Sequence, residues 1–167
     1  MVQATRLLLV EDDDFDAEVV HRALKRSHEM QYDVYAARSL ADAFKQLCEA
    51  SYDVVLLDLG LPDGLGLNGL KKMVRMLEAP VIVLTGNDNQ RLIDEAMLLG
   101  AHDFVPKSEN LSVVLEKTIR FAIQRYQALV ALTNTEGLLT AHHEFSRSSL
   151  LVFKRSLMLR TSWQHLP

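Results

Sequence analysis

Residues 54–64 read Val-Val-Leu-Leu-Asp-Leu-Gly-Leu-Pro-Asp-Gly. Four consecutive apolar residues, two of them β-branched, are too few for a helix and are typical of a strand buried on both faces. The run ends at Asp58, and the glycine and proline after it indicate a loop. This segment therefore predicts a central strand of a covered parallel sheet, with a carboxylate where the strand ends.

Other short segments of the chain have the same character. Three further apolar runs lie at Leu7–Val10, Val81–Leu84 and Phe104-Val105. The segment Tyr32–Ala36 alternates instead, with Tyr32, Val34 and Ala36 pointing to one side. Alternation is typical of a half-exposed strand, so we expect this strand at an edge of the sheet.

Helical patterns separate the strands. Their apolar stripes are Ala17, Val20 and Leu24; Leu40, Phe44 and Leu47; Leu67, Leu70 and Met73; Ile93, Met97 and Leu98; and Leu111, Leu115, Ile119, Ala122 and Tyr126. Ser39 to Asp42 indicates a capping box, and Gly100 a helix C-cap. Strand and helix alternate five times, too few for an eightfold barrel. We therefore predict an α/β fold: a flavodoxin-like, doubly wound, five-stranded parallel sheet of order 2-1-3-4-5 with a C-terminal helical extension.

Composition limits the class of protein. The 167 residues carry 18 Lys and Arg against 22 Asp and Glu, a net charge of −4, so no nucleic-acid surface is expected within this chain. Cys48 is the single cysteine, which excludes an internal disulfide and favours a reduced, cytoplasmic setting. No apolar run approaches the roughly 18 residues of a membrane span, and the N-terminus lacks a signal-peptide pattern.

Polar side chains follow the apolar runs. Glu11 and Asp12 come after the first run, and Asp58, Thr85 and Lys107 come at or just after the ends of three others. Carboxyl ends of parallel strands share one edge, where ligands bind. Carboxylates gathered there repel one another, and an oxygen-seeking cation such as Mg²⁺ relieves this. A hydroxyl and an ammonium nearby can accept the charge of a phosphoryl group.

Four segments resemble the receiver domains of two-component response regulators. They are Leu7–Asp12, Val54–Gly64, Val81–Gly86 and Gly100–Lys107. The resemblance covers roughly residues 5–127 and implies that Asp58 takes a phosphoryl group from a histidine kinase phosphohistidine. It also implies a signalling domain that catalyses only its own phosphorylation and dephosphorylation.

The resemblance assigns a role to each site residue. Asp12 corresponds to a direct Mg²⁺ ligand and Glu11 to one acting through water. The main-chain carbonyl of Gly60 corresponds to a third ligand, beside Asp58 itself. Thr85 and Lys107 correspond to the groups that meet the phosphoryl charge. Thr85 and Phe104 together form the expected switch, with Phe104 moving inward behind the threonine.

Two positions depart from the family pattern. Most receivers have proline after the lysine, often with a cis peptide bond, whereas this chain has Ser108. A cis bond before a non-proline residue costs about 2.5–4 kcal/mol, so both a trans bond and a strained cis bond are open. Phe104 replaces the commoner tyrosine, so the switch ring lacks a hydroxyl.

The last 40 residues carry the weakest signal. We expect residues 1–127 to be the receiver and 128–167 a helical linker or truncated output segment. Leu129, Val130 and Leu132 continue the last stripe, which predicts a helix running past Arg125 to about Leu132 and joining two chains as a homodimer. Residues 136–154 distantly resemble the start of a diguanylate cyclase domain or a histidine-kinase phosphoacceptor segment.

Three alternatives remain beside the phosphorylated receiver. One is a degenerate receiver that binds partners without phosphorylation, and another is the N-terminal part of a receiver–diguanylate cyclase or receiver–kinase protein. The third is a small doubly wound enzyme or flavin-binding protein. The acidic first loop disfavours it, because a phosphate-cradling loop would be rich in Gly, Ser or Thr. The six histidines, including His142-His143, predict no metal site.

Overall fold

The computed structural model describes residues 4–27, 30–63, 67–86, 90–108 and 110–137, with the side chains of 134–137 outside the description. Within these ranges five strands alternate with five helices. In chain order they are β1 (Thr5–Val10), α1 (Asp14–Lys25), β2 (Tyr32–Ala37), α2 (Leu40–Glu49), β3 (Val54–Asp58), α3 (Leu67–Met76), β4 (Val81–Thr85), α4 (Gln90–Leu98), β5 (Asp103–Pro106) and α5 (Leu111–Gly137).

The strands form one parallel sheet of order β2-β1-β3-β4-β5, which confirms the predicted fold class. All residues of β3 and β4 are buried, as expected for strands covered on both faces. The register places Asp58 beside Leu84, and the next residue of β4, Thr85, beside Pro106. The strand ends that carry the predicted site residues are therefore neighbours in the sheet.

Two apolar layers enclose the sheet. On one face, Leu7, Leu9, Leu56 and Ile82 of the strands pack with buried residues of α1 and α5. On the other face, the alternate strand residues pack with buried residues of α2 and α3 and with Ala96 of α4. Successive strand side chains point to opposite faces, so each continuous apolar run supplies both layers.

Side chains and a glycine define the helix ends. Asp13 is the N-cap of α1, and its Oδ1 accepts hydrogen bonds from the amides of Phe15 (2.8 Å) and Asp16 (2.9 Å). The predicted cap of α2 is confirmed, because Ser39 Oγ accepts the Asp42 amide at 3.1 Å. Gly100 has φ +102°, in the left-handed region that favours glycine after a helix.

Two details of the predicted apolar pattern were wrong. In α4 the buried residues are Ile93 and Ala96, whereas Met97 is 41% and Leu98 88% exposed. Leu98 follows Ile93 by five residues, which turns it well away from the sheet in a helix of 3.6 residues per turn. In β2 the alternation ends early, since Ala36 is exposed and Ala37 is buried.

The chain divides into two compact units, Met1–Leu129 and Val130–Pro167. The prediction that the last helix continues past Arg125 to about Leu132 is confirmed, because α5 extends to Gly137. Predictions for residues 138–167, including His142-His143, lie outside the described residues. Among the described helices, none has the length and apolar character needed to cross a bilayer.

Candidate functional site

The carboxyl edge of the sheet gathers the charged residues. Glu11 follows β1, Asp58 ends β3 and Lys107 follows β5, so the strand order alone brings three distant parts of the sequence together. Glu11 is 4% and Asp58 9% exposed, whereas Asp12 lies at the surface. Two acids at this depth need compensating charge or hydrogen bonds, because burying an unpaired carboxylate is strongly unfavourable.

Three carboxylates converge there. Glu11, Asp12 and Asp58 each offer an oxygen, and these oxygens lie within 4.8 Å of one another. Burial raises the pKa of Glu11, and the charge of Asp58 adds to this, while contact with Lys107 opposes it. Within the described residues, Glu11 Oε2 is a buried side-chain oxygen that accepts no hydrogen bond of regular geometry, although the Lys107 ammonium lies 2.7 Å from it. The cluster therefore holds a buried carboxylate oxygen whose charge is offset by a neighbouring ammonium.

Lys107 is the cation of the site. Its Nζ lies 2.7 Å from Glu11 Oε2, 2.7 Å from Asp16 Oδ2 and 3.0 Å from Asp58 Oδ2. Burial by itself lowers the pKa of Lys107, but the hydrogen bonds with Asp16, Glu11 and Asp58 outweigh it and raise the pKa. One ammonium faces four carboxylates when Asp12 is included, so the site keeps an excess of negative charge.

Backbone groups complete the surroundings of Asp58. Its Oδ1 accepts the Gly60 amide at 3.0 Å, while Oδ2 faces Lys107. A Cβ atom on Gly60 would lie 3.2 Å from Asp58 Oδ2, so glycine leaves the carboxylate open on this side. The structure thus places Gly60 next to Asp58 through its amide, and the ligand role of its carbonyl stays a prediction.

Thr85 and Phe104, the predicted switch pair, lie on neighbouring strands. Thr85 is 5% exposed, and its carbonyl accepts the Lys107 amide at 2.8 Å. Phe104 is partly buried and packs against the core on the α2 and α3 face. Their movement together stays a prediction. Every peptide bond in the described residues is trans, including the one between Lys107 and Ser108.

Sequence reasoning missed two acidic residues that act at this edge. Asp16 contacts Lys107, although its place in the first turn of α1 also suits an ordinary helix terminus. Its spacing, four residues after Asp12, was the available signal. Asp63 accepts hydrogen bonds from the amides of Leu40 and Ala41 and so ties the loop after β3 to the start of α2.

His102 has a structural role. Its Nδ1 accepts the Val81 amide at 3.1 Å, which requires that this nitrogen carry no proton. Burial lowers the pKa of His102, and the charge of Arg125 lowers it further. The imidazole is therefore held neutral between β4 and β5. This contact gives a structural role to His102, one of the six histidines for which the sequence predicts no metal site.

Comparisons with known proteins agree with this geometry. A family model, the response regulator receiver domain, matches residues 7–119. The swarming motility regulation protein RssB of Serratia marcescens is 35% identical over 105 residues, 60% of this chain and 45% of RssB. The transcriptional regulatory protein KdpE of Mycobacterium tuberculosis is 35% identical over 127 residues, 75% of this chain and 54% of KdpE. This chain thus spans about half the length of these curated relatives.

A solved structure shows the same fold. It is the N-terminal domain of a response regulator/sensory box/GGDEF 3-domain protein from Carboxydothermus hydrogenoformans, 25% identical, with a TM-score of 0.65 over 75% of this chain and 98% of that domain. The family model spans all five strands from Leu7 of β1 to Ile119 within α5. The matched sequence and the sheet order together show that this chain belongs to the response regulator receiver domain family.

Proposed function

We propose that this receiver accepts a phosphoryl group on Asp58 in a magnesium-dependent reaction. The donor would be the phosphohistidine of a histidine kinase or of a phosphotransfer protein. The observation that carries the proposal is the position of the Asp58 carboxylate, which lies 3.0 Å from the Lys107 ammonium and beside two further carboxylates. A nucleophile, a cation and a potential metal site thus occur within one small, largely buried volume.

The acidic cluster fits a divalent cation. Within the described residues of the cluster, four carboxylates face a single ammonium, so the site carries an excess of negative charge. Mg²⁺ prefers oxygen ligands and commonly uses one or two carboxylates plus waters. Asp12 and Asp58 would hold the ion directly, with the Gly60 carbonyl, and Glu11 would act through water. When bound, the ion would neutralise charge on the transferring phosphoryl group.

The residues of the chain supply position and charge. An Asp58 carboxylate oxygen forms the new O–P bond while the N–P bond of the phosphohistidine breaks, and the imidazole leaves and takes up a proton. The Gly60 amide fixes Oδ1 of Asp58. Lys107, within reach of Oδ2, can donate to a phosphoryl oxygen. Transfer of this kind depends on alignment and charge neutralisation more than on acid–base groups.

The response to phosphorylation would pass through Thr85 and Phe104. A ligand shifts a two-state protein only by contacts that differ between the states. Thr85 ends β4 next to Asp58, and its backbone carbonyl already binds the Lys107 amide. A hydrogen bond from its hydroxyl to the phosphoryl group would supply such a contact. Phe104, on the adjacent strand, would then change its packing and the partner surface around it.

The native chain should gain one phosphoryl group from acetyl phosphate, and only with Mg²⁺ present. The reason is that the crowded carboxylates repel an incoming anion until a cation offsets them. Intact-mass spectrometry with Mg²⁺, and with the metal chelated, measures this directly. The adduct should be removed by hydroxylamine, as expected for an acyl phosphate. Lack of uptake in Mg²⁺ would contradict the proposal and favour a receiver that binds partners without phosphorylation.

We further propose that residues 1–127 form the receiver and that the chain after it, as a linker or truncated output segment, joins two copies. On α5, Leu129 is 57% and Leu132 66% exposed. Burying such side chains yields about 1.5–3 kcal/mol each before the costs of association, so the homodimer should be weak. Light scattering across a concentration series should show dimers for the full chain and monomers for a chain ending at Arg125. A full chain that stays monomeric throughout would contradict this.

A further inference from the structure

Asp16 lies where α1 meets the site. Its amide donates to Asp13 Oδ1 at 2.9 Å, so the capped first turn of α1 fixes its backbone. Its Oδ2 accepts a hydrogen bond from Lys107 Nζ at 2.7 Å across 91 residues of sequence. The contact is thus built between a rigid helix start and the end of β5.

The three acidic partners of Lys107, which are Glu11, Asp16 and Asp58, have different roles in the proposed reaction. Asp58 becomes the acyl phosphate, and Glu11 is proposed to serve the metal ion. Asp16 has neither duty, and its side chain is more exposed than those of the other two, at 37% against 1% and 11%. Asp16 is therefore the one of the three that can hold the ammonium before, during and after transfer.

A lysine needs such an anchor more than an arginine would. The ammonium is a compact charge on a flexible four-carbon stem, and fixing that stem costs conformational entropy. A misplacement of about 1 Å in a transfer reaction can cost up to about 100-fold in rate. The 2.7 Å contact with Asp16 occupies one of the three ammonium protons. The other two, which meet Glu11 and Asp58 before transfer, can turn toward the phosphoryl group once Asp58 carries it.

We propose that Asp16 is a positioning residue that holds the Lys107 ammonium in line with the phosphoryl group on Asp58. This inference rests on the proposed function of Asp58. Asp16 itself touches no reacting atom, so its whole effect passes through Lys107. A hydrogen-bond acceptor at position 16 is the property that matters, and this separates positioning from a general contribution of negative charge.

The test compares Asp16→Ala, Asp16→Asn and the matched control Glu18→Ala in phosphorylation by acetyl phosphate with Mg²⁺. Glu18 is an exposed acid on the same helix that pairs with Arg22, away from the site. Asp16→Ala should lower the maximal rate about tenfold, with the donor concentration for half-maximal rate unchanged. Asp16→Asn keeps an acceptor oxygen and should stay within about twofold of the native rate, as should Glu18→Ala.

The decisive comparison repeats Asp16→Ala in a Lys107→Ala background. A residue that acts only through Lys107 has no further effect once Lys107 is gone. A native rate for Asp16→Ala, an Asp16→Asn as slow as the alanine variant, or an undiminished loss in the Lys107→Ala background would each overturn the inference. Thermal unfolding of each variant confirms that it is folded. Failure of the Asp58 assignment would be seen separately, as phosphoryl uptake by Asp58→Asn.

Discussion

Replacing Asp58 with asparagine should abolish phosphoryl uptake and leave the fold intact. An amide lacks the nucleophilic carboxylate oxygen that forms the acyl phosphate. The other acids beside Lys107 have different proposed roles, Glu11 toward the metal ion and Asp16 toward the ammonium. Asparagine retains an oxygen that can accept from the Gly60 amide, which in the native chain donates to Asp58 Oδ1 at 3.0 Å. The measurement is intact mass after exposure to acetyl phosphate and Mg²⁺, with the native chain treated in parallel.

Asp53→Asn is the matched control for this experiment. Asp53 precedes the same strand, at its amino end, and accepts the Arg6 amide at 2.8 Å, so the chemical change is identical but distant from the site. It should retain full uptake. Undiminished uptake by Asp58→Asn would show that the acceptor lies elsewhere. Thermal unfolding should show a folded Asp58→Asn variant, because the change removes both the repulsion between Asp58 and Glu11 and the attraction between Asp58 and Lys107.

The fold could be predicted from the sequence because the patterns that indicate strands and helices are local. Strands β3 and β4 are continuous apolar runs, and such runs occur where helices cover both faces of a sheet. Carboxyl ends of parallel strands meet at one edge of the sheet, and this predicts that Glu11, Asp58 and Lys107 lie near one another. The structure brings them together, because the Lys107 ammonium contacts the carboxylates of both Glu11 and Asp58.

Other features depend on side-chain direction, which the sequence pattern does not determine. The Asp16–Lys107 contact requires a particular orientation of α1 relative to β5, and the first-turn acid alone is explained equally well by the helix dipole. In α4, the small residue Ala96 is buried, whereas the larger Met97, which the apolar pattern predicts to be buried, is exposed. Size and hydrophobicity favour methionine at a buried position, yet the smaller alanine is the buried residue.

Replacing Lys107 with alanine should slow phosphorylation of Asp58 by about 100- to 1000-fold, the usual effect of removing one preorganised donor from a charged transition state. Lys107 is the ammonium within 3.0 Å of Asp58 Oδ2, and its side chain is 14% exposed, so water replaces it poorly. Lys107→Arg keeps the charge but presents a planar group with different geometry, so it should recover only part of the rate. Lys71→Ala, on the exposed side of α3, is the control and should react at the native rate.

The pH for this measurement follows from the charge state of Lys107. Its carboxylate partners raise its pKa, so the stabilisation that it gives the folded site is complete below the unfolded-state pKa and is lost only as pH rises through the higher folded value. Near neutral pH the ammonium is therefore fully charged, and a rate comparison there reports its removal alone. A Lys107→Ala rate within about threefold of native, with Mg²⁺ saturating, would show that the metal cluster meets the phosphoryl charge without this lysine.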